Sequence, residues 1–223
     1  MPIEIFQTEV GLMSNFNELL ARKNGQECVV IDPAFEVDRL LREAAQRGWR
    51  VTAVLVTHTH HDHVDGVEAM VRATGATAYV GAGEVQALER AAPSAKIVGL
   101  EGGEILELAG LRIEAIPTPG HTVAGISYAV EGNVCTGDTL FVGGCGRTDF
   151  AGGDASTLWR SLQRLAALPE ETRVYPGHDY GQTPTSTIGW ERTSNPYLLC
   201  RSEAEFVALR TGKNAPRPQP RSK

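Results

Sequence analysis

Cysteine is scarce in this chain. The four present among 223 residues, Cys28, Cys135, Cys145 and Cys200, lie far apart and form no C-x-x-C pair. That spacing excludes a disulfide-stapled scaffold and a cysteine-rich structural zinc site; in a reducing compartment free thiols are the default. Cys28 and Cys135 fall in apolar, strand-like runs and read as core. Cys145 has no base beside it in sequence and reads as a loop residue, not a nucleophile. Positive charge is also in deficit: 21 Lys and Arg stand against 27 Asp and Glu, for a net charge of −6. A general nucleic-acid or anionic-membrane binder needs the opposite balance. No apolar run approaches the length of a membrane span, and the first six residues carry no basic segment of the kind that opens a secretion signal. The expected location is therefore cytoplasmic. No tandem repeat recurs at a fixed period.

What is present is histidine in one place. Of six histidines, four fall within Thr57-His58-Thr59-His60-His61-Asp62-His63, with an aspartate among them. Val51–Val56 just before is a short apolar, β-branched run that reads as a buried strand, and Val64–Val71 just after reads as the opening of a helix. The histidines are thus expected on a loop at the end of a buried strand. Imidazole and carboxylate are ordinary ligands for zinc and related divalent metals. A solvated polar loop would suffice for one histidine, but not for His-x-His-x-Asp-His. His61, between the others, is expected to face solvent or the cleft rim.

Taken in order, the chain opens with two strands around a turn near Gly11 and a second turn at Asn24-Gly25. Cys28–Ile31 is a buried strand stopped by Asp32-Pro33. Val37, Leu40, Leu41, Ala44 and Ala45 recur at helical spacing, with Gly48 as a stop. With the following strand they form a β-α-β unit, whose C-terminal strand edge is where ligand sites of α/β sheets sit. After a helix ending near Gly75, a strand at Thr77–Val80 and a short helix from Glu84 to Ala91, the pattern turns to strands between Ile97 and Val130. Asp154 is a candidate N-cap for a helix over Leu158, Trp159, Leu162, Leu165 and Ala166. Val174-Tyr175 reads as a last strand, followed by a polar Gly/Thr/Pro/Ser run. Ser202-Glu203-Ala204-Glu205 is a capping-box signal for a terminal helix. Residues 1–212 are expected to form one domain, and 213–223, basic and Pro-rich, a disordered tail.

The remaining imidazole and acidic candidates each follow a strand and a small-residue turn: His121 after Pro119-Gly120, Asp138 after Gly137, His178 after Pro176-Gly177. Glycine lets backbone crowd close to an ion. Taken singly, a histidine after Pro-Gly more often just caps a loop. Together with the 58–63 cluster these residues make seven potential ligands, a number that suits two ions about 3.5–4 Å apart with one carboxylate bridging.

In these motifs and in this order, from His58 to His178, the chain resembles the metallo-β-lactamase fold superfamily. The resemblance implies an α/β fold built as a four-layer αβ/βα sandwich, two mixed sheets flanked by helices, with metal at the edge between the sheets. It also implies roles: His58, His60 and His121 on a first metal, Asp62, His63 and His178 on a second, Asp138 bridging. Periodicity alone reaches only an α/β chain with a mixed sheet. Within the superfamily the chain looks like the glyoxalase II group (hydroxyacylglutathione hydrolases) and the persulfide dioxygenases. Gly137-Asp138-Thr139-Leu140-Phe141 and Gly144-Cys145-Gly146-Arg147 are similar to both. In both, a basic residue after Cys-Gly and a tyrosine two places after the last histidine meet glutathione; here those are Arg147 and Tyr180. Arg147-Thr148-Asp149-Phe150 and the segment Glu191–Pro196, with Arg192 as a further substrate-contact candidate, look more like the dioxygenases. The helix leading into the metal loop and the strand after it look more like the hydrolases. Asp149 stands where the hydrolases place a tyrosine, and 45 residues after His178 are too few for the helical C-terminal domain of full-length glyoxalase II.

The function these features imply is metal-dependent hydrolysis of a thioester such as a hydroxyacylglutathione. Two zinc ions, or a mixed zinc–iron pair, would bring a water's pKa toward neutrality, and the resulting metal-bound hydroxide would attack the acyl carbon. Asp62 and Asp138 would orient it. Arg147 would clamp a carboxylate of the carrier, or else anchor its own loop through Asp149 or Asp154. The alternative is a persulfide dioxygenase using one Fe(II) on His58, His121 and Asp138, a 2-His-1-carboxylate set. The partner in either case is a small thiol-linked substrate, with neither nucleic acid nor membrane; a homodimer stays open.

Overall fold

The computed structural model describes residues 2–212 together with Ala215 and Pro216. Apart from those two residues, the expected disordered tail lies outside the described part. Two six-stranded mixed sheets face one another. The first runs β1 (Ile3–Val10), β2 (Asn15–Arg22), β3 (Glu27–Ile31), β4 (Arg50–Leu55), β5 (Thr77–Gly81) and β6 (Ile97–Leu100) in spatial order. β1 to β3 are antiparallel neighbours, and β3 to β6 are parallel. Its outer face is covered by α1 (Val37–Gln46), α3 (Val67–Thr74) and α4 (Val85–Ala91), with a single helical turn, α2 (His61–Val64), ahead of α3. Because both faces are covered, the strands are apolar in both parities. Leu19, Ala21, Val30 and Val54 pack outward under the helices, and Leu20, Val29, Ile31 and Leu55 pack inward on the second sheet.

The second sheet contains β7 (Ile105–Leu108), β8 (Leu111–Pro117), β9 (Ile126–Val130), β10 (Asn133–Gly137), β13 (Arg173–Pro176) and β14 (Ser186–Thr187), in the order β14-β13-β10-β9-β8-β7. Between β10 and β13 the chain forms a small hairpin, β11 (Leu140–Phe141) with β12 (Gly144–Cys145), and then α5 (Ala155–Ala166). α6 (Ile188–Ser194) and α7 (Glu203–Thr211) follow β14. On β8, Leu111, Ile113 and Ala115 point into the inter-sheet core while Arg112 and Glu114 are exposed. Val134 and Val174 face the other way, against Leu158, Leu162, Leu165 and Phe206 of α5 and α7. The Asp154 side chain accepts from Thr157 N at 2.7 Å, and that of Ser202 from Glu205 N at 3.2 Å, so both expected caps form, each worth about 1 kcal/mol. The layers therefore run helices, sheet, sheet, helices, the αβ/βα sandwich expected.

Three local expectations are corrected. The histidine segment is not loop throughout, since His61–Val64 closes one helical turn. Cys145 is not a loop residue but a strand residue, because Gly144-Cys145 pairs with Leu140-Phe141. The polar run after Tyr180 contains β14 and α6, the helix capped by Thr187, whose hydroxyl accepts from Trp190 N. Its apolar positions are too few for a periodic signal, and one cap starts it. Among the described residues no helix is long and apolar enough to cross a membrane.

What matters for the site is where strands end. β4, β8, β10 and β13 all release their chains at one edge, where the sheets meet. Phe16 N donates to Gly177 O at 2.8 Å, Asp179 N to Ser14 O at 2.8 Å, and Ile126 N to Thr57 O at 2.8 Å. These bonds cross from one sheet to the other and lock the four ends together.

Candidate metal centre

The seven residues singled out in the sequence converge at that edge. The donor atoms of His58, His60 and His121 lie within 4.8 Å of one another, as do those of Asp62, His63 and His178, and a third set, Asp32, His58 and His63, joins the two. His60 Nδ1 lies 3.0 Å from His121 Nε2, and His63 Nε2 lies 3.2 Å from His178 Nε2. Asp138 stands between the groups. Its Oδ2 is 3.6 Å from His121 Nε2, and its Oδ1 is 3.4 Å from both His63 Nε2 and His178 Nε2. Two glycines make room for this. Gly137 has φ +49° and its missing Cβ would strike Thr57 Oγ1 at 2.3 Å; a Cβ on Gly177 would strike Asp138 Oδ1 at 2.5 Å. His61 is turned out to solvent, as expected, with its side chain 74% exposed.

The ring orientations are set from behind. His121 Nδ1 bonds the Arg147 carbonyl at 2.7 Å and His178 Nδ1 the Met13 carbonyl at 2.9 Å, so each Nδ1 carries hydrogen and each Nε2 offers a lone pair inward. His58 Nδ1 meets Thr57 Oγ1 at 3.0 Å, and His63 Nδ1 meets Asp32 Oδ2 at 3.0 Å. Asn15 Nδ2 donates to Asp62 Oδ2 at 3.0 Å. Asp32 and Asn15 are functional residues that reading the sequence missed. Asp32 stood there only as the end of a strand; it also accepts from Thr57 N at 2.7 Å, with φ +43°. Nothing local marks it in the sequence, where an Asp before Pro33 at a strand end reads as a simple strand stop.

The electrostatics suit cations. His58 Nε2 and Asp138 Oδ1 are buried with no hydrogen-bond partner, a state that is costly unless an ion completes them. Burial and the neighbouring His63 push the His58 pKa well down. Burial also opposes charge on His178 and His63, but Asp138, with Asp62 beside His178 and Asp32 beside His63, outweighs it. His178 is lifted to about 9 and His63 well above its usual value. Burial would raise the Asp138 pKa, yet the His178 and His63 charges hold it well below the carboxylate range. The carboxylates around the Asp62 group thus favour positive charge beside two rings whose nitrogens face each other. A divalent cation satisfies the same carboxylates without repulsion between charged rings, so the donor set fits a metal of the zinc or iron kind.

The candidate substrate contacts divide. Tyr180 stacks on His178, ring centroids 4.5 Å apart at 10°, and packs edgewise on Phe141. Burial, with Asp138 and Asp62 near, raises its hydroxyl to about 12, so it remains a neutral donor at the cleft. Arg147 sits beside the cleft over Phe150, its guanidinium carbon 4.4 Å from the ring centre, and is bonded to Asp149 through Nε at 2.9 Å and Nη2 at 2.6 Å. Arg192 pairs with Glu170 at 3.2 Å, on the face of α6 toward that loop, and is not brought to the histidines. Cys145 is buried and its thiol is pushed far up, which suits its reading as non-nucleophilic.

The chain is similar to known proteins. A hydroxyacylglutathione hydrolase of Pseudomonas entomophila is 39% identical over 187 residues, covering 82% of this chain and 68% of that protein. The human mitochondrial persulfide dioxygenase ETHE1 is 32% identical over 222 residues, 98% of this chain and 84% of that one. The crystal structure of ETHE1 from Myxococcus xanthus superposes with a TM-score of 0.85 at 36% identity, covering 96% of this chain and 93% of the other. The family model of the metallo-β-lactamase superfamily matches residues 19–178, a stretch that runs from β2 through the last histidine of the cluster. With the sandwich, the strand-end cluster and that match in agreement, the chain belongs to the metallo-β-lactamase superfamily.

Proposed function

We propose that this protein is a dinuclear metallohydrolase that cleaves the thioester of a small thiol-linked substrate. The observation that carries the reading is Asp138: one carboxylate oxygen faces His121 and the other faces His63 and His178, the disposition of a bridge between two ions. His58, His60 and His121 would hold one ion, and Asp62, His63 and His178 the other. Such a pair, when bound, supplies the Lewis acidity that makes water nucleophilic near neutral pH and polarises an acyl oxygen. The chain's own groups do the rest. Asp138 and Asp62, both held well ionised, would orient the water, and its proton would pass to solvent because the ion pair brings the water's pKa near neutral. The outward bonds on the four Nδ1 atoms keep the rings from turning as charge shifts. Tyr180 offers its hydroxyl to the leaving portion, and Arg147 binds a carrier carboxylate only by exchanging it for Asp149.

A second reading has support of its own. His58, His121 and Asp138 form a 2-His-1-carboxylate set that suits one Fe(II) with open positions, and Arg147-Thr148-Asp149-Phe150 is the segment that looks most like the dioxygenases. One experiment separates the two. Zinc-loaded protein given S-lactoylglutathione under argon is expected to release free thiol. Oxygen uptake by iron-loaded protein with glutathione persulfide, without thioester cleavage under argon, would defeat the hydrolase and favour the dioxygenase.

A further inference from the structure

The His58, His60 and His121 group depends on two loops that are far apart in sequence. His58 and His60 leave the end of β4, His121 leaves the end of β8, and no ladder joins those two strands. One buried side chain reaches both loops. Glu84, at the turn before α4, is 3% exposed. Its Oε2 accepts from Thr59 N at 2.6 Å and from Thr59 Oγ1 at 2.7 Å. Its Oε1 accepts from the Thr122 hydroxyl and from Ala124 N, the latter at 3.3 Å. One oxygen thus serves each loop. Thr59 lies between His58 and His60, and Thr122 follows His121, so every side chain Glu84 holds is a sequence neighbour of a ligand. The backbone is shaped for this contact: a Cβ on Gly81 would lie 1.9 Å from Ala124 O, so only glycine lets the end of β5 press against the His121 loop and deliver the carboxylate.

We propose that Glu84 is a positioning residue that sets the metal affinity of the His58, His60 and His121 group and leaves that of the other group unchanged. The proposal rests on the metal-centre reading above. The physical argument is preorganisation. With Glu84 in place, His60 and His121 stand 3.0 Å apart across 61 residues of chain. Without it, Thr59 N–H and Ala124 N–H lose their acceptor; the Ile126 N to Thr57 O bond still joins the loops at their roots, but the stretches bearing the ligands lose their tie, and binding an ion must first order them. Asp62, His63 and His178 are held by Asn15, Asp32 and the Met13 carbonyl, none of which belongs to these loops.

The test is zinc titration against a chromophoric chelator, with cobalt(II) spectra and thermal unfolding, on wild type, Glu84→Ala, Glu84→Gln and Thr122→Val. Wild type is expected to bind two ions. Glu84→Ala should weaken one of them about 10- to 100-fold, the usual range for a partner behind a ligand, with the other within about twofold. Glu84→Gln keeps an acceptor for Thr59 but turns an NH2 toward Ala124 N–H, and should fall between. Thr122→Val should weaken the same ion less. His121→Ala identifies that ion, because its cobalt spectrum should lose the same band. Equal weakening of both ions, or of neither, in Glu84→Gln and Thr122→Val overturns the proposal, and these two variants decide should Glu84→Ala fail to fold. A wild type that binds no pair of ions defeats the metal-centre reading and this proposal with it; a wild type that binds both, beside variants that do not discriminate, defeats this proposal alone.

Discussion

The two halves of the cluster are built by different means. The Asp62, His63 and His178 half is buried throughout, and strand-borne groups back it: Asn15 at the start of β2, Asp32 at the end of β3, and a bridge between Asn15 and His178 that joins the two sheets. The His58, His60 and His121 half is more open. His60 is only partly buried, and Phe150, itself exposed, lies edge-on to it with ring centroids 5.2 Å apart. This half has no carboxylate of its own apart from the shared Asp138, and a clamp between loops, Glu84, does what the strands do for its neighbour. Carboxylates packed around the buried half favour charge on its rings, while burial and the neighbouring histidines disfavour it on His58. Rigidity and charge thus fall together on one side, access and neutrality on the other.

The severest way to break the contrast is to remove what the halves share. Asp138→Ala should cost both ions and lower kcat/KM by about three orders of magnitude, since losing several kcal/mol of metal stabilisation is worth tenfold for each 1.36 kcal/mol. Metal analysis and turnover measure it; a variant with wild-type metal content and rate would refute the bridge. Next, Asp32→Asn should weaken the buried half most, with a smaller loss at the other half, because Asp32 also accepts from the Thr57 hydroxyl that meets His58 Nδ1. Asparagine tolerates the φ of +43° and can still accept from Thr57 N, but His63 Nδ1 loses a charged acceptor. About 10- to 100-fold weaker binding is expected at that half, in mirror image to Glu84, and equal loss at both halves would show the contrast to be empty.

Proton linkage sharpens the comparison without mutation. The carboxylates that lift His178 to about 9 and raise His63 favour proton binding at these rings, so an ion competes with protons there. Affinity at the buried half should therefore fall as pH drops below about 9, by roughly tenfold per pH unit for each proton displaced. At the open half, where His58 is already neutral, it should change much less over the same range. Calorimetry in buffers of different ionisation enthalpy counts the protons; equal release at both halves would remove the electrostatic difference. The smallest effect belongs to the rim of the open half. Arg147 and Asp149 form an exposed pair, worth at most about 1 kcal/mol. Asp149→Asn should free Arg147 and lower KM for a carboxylate-bearing substrate about two- to fivefold, with kcat unchanged. Steady-state kinetics with no change in KM would leave Arg147 as a loop anchor only.

Much of the cluster was legible because its signals are local. His58, His60, Asp62 and His63 lie within six positions after an apolar run, and His121, Asp138 and His178 each follow a small-residue turn at a strand end. Caps at Asp154 and Ser202 were legible for the same reason, their acceptor and donor lying three residues apart. Asp32 and Glu84 were not. Each bonds a partner 25 residues or more away, and a single acidic residue after a strand or before a short helix looks like any cap. α6 was hidden because about two turns of helix carry too few apolar positions to show a period.

By itself the sequence determined which groups are available to bind metal and the order in which strands present them, since both follow from residue type and from alternation along short segments. Only the tertiary structure decided how they divide. Which histidine stands beside which, that Asp138 faces both groups, that Glu84 ties the Thr59 and Thr122 loops while Asp32 ties His63 to Thr57, and that Arg147 is taken by Asp149 all depend on where four strand ends meet. That meeting is set by packing across the inter-sheet core and by bonds between strands of different sheets. Contacts of that range bring together side chains as much as 115 residues apart, as with His63 and His178, and leave no mark in the local pattern of either segment.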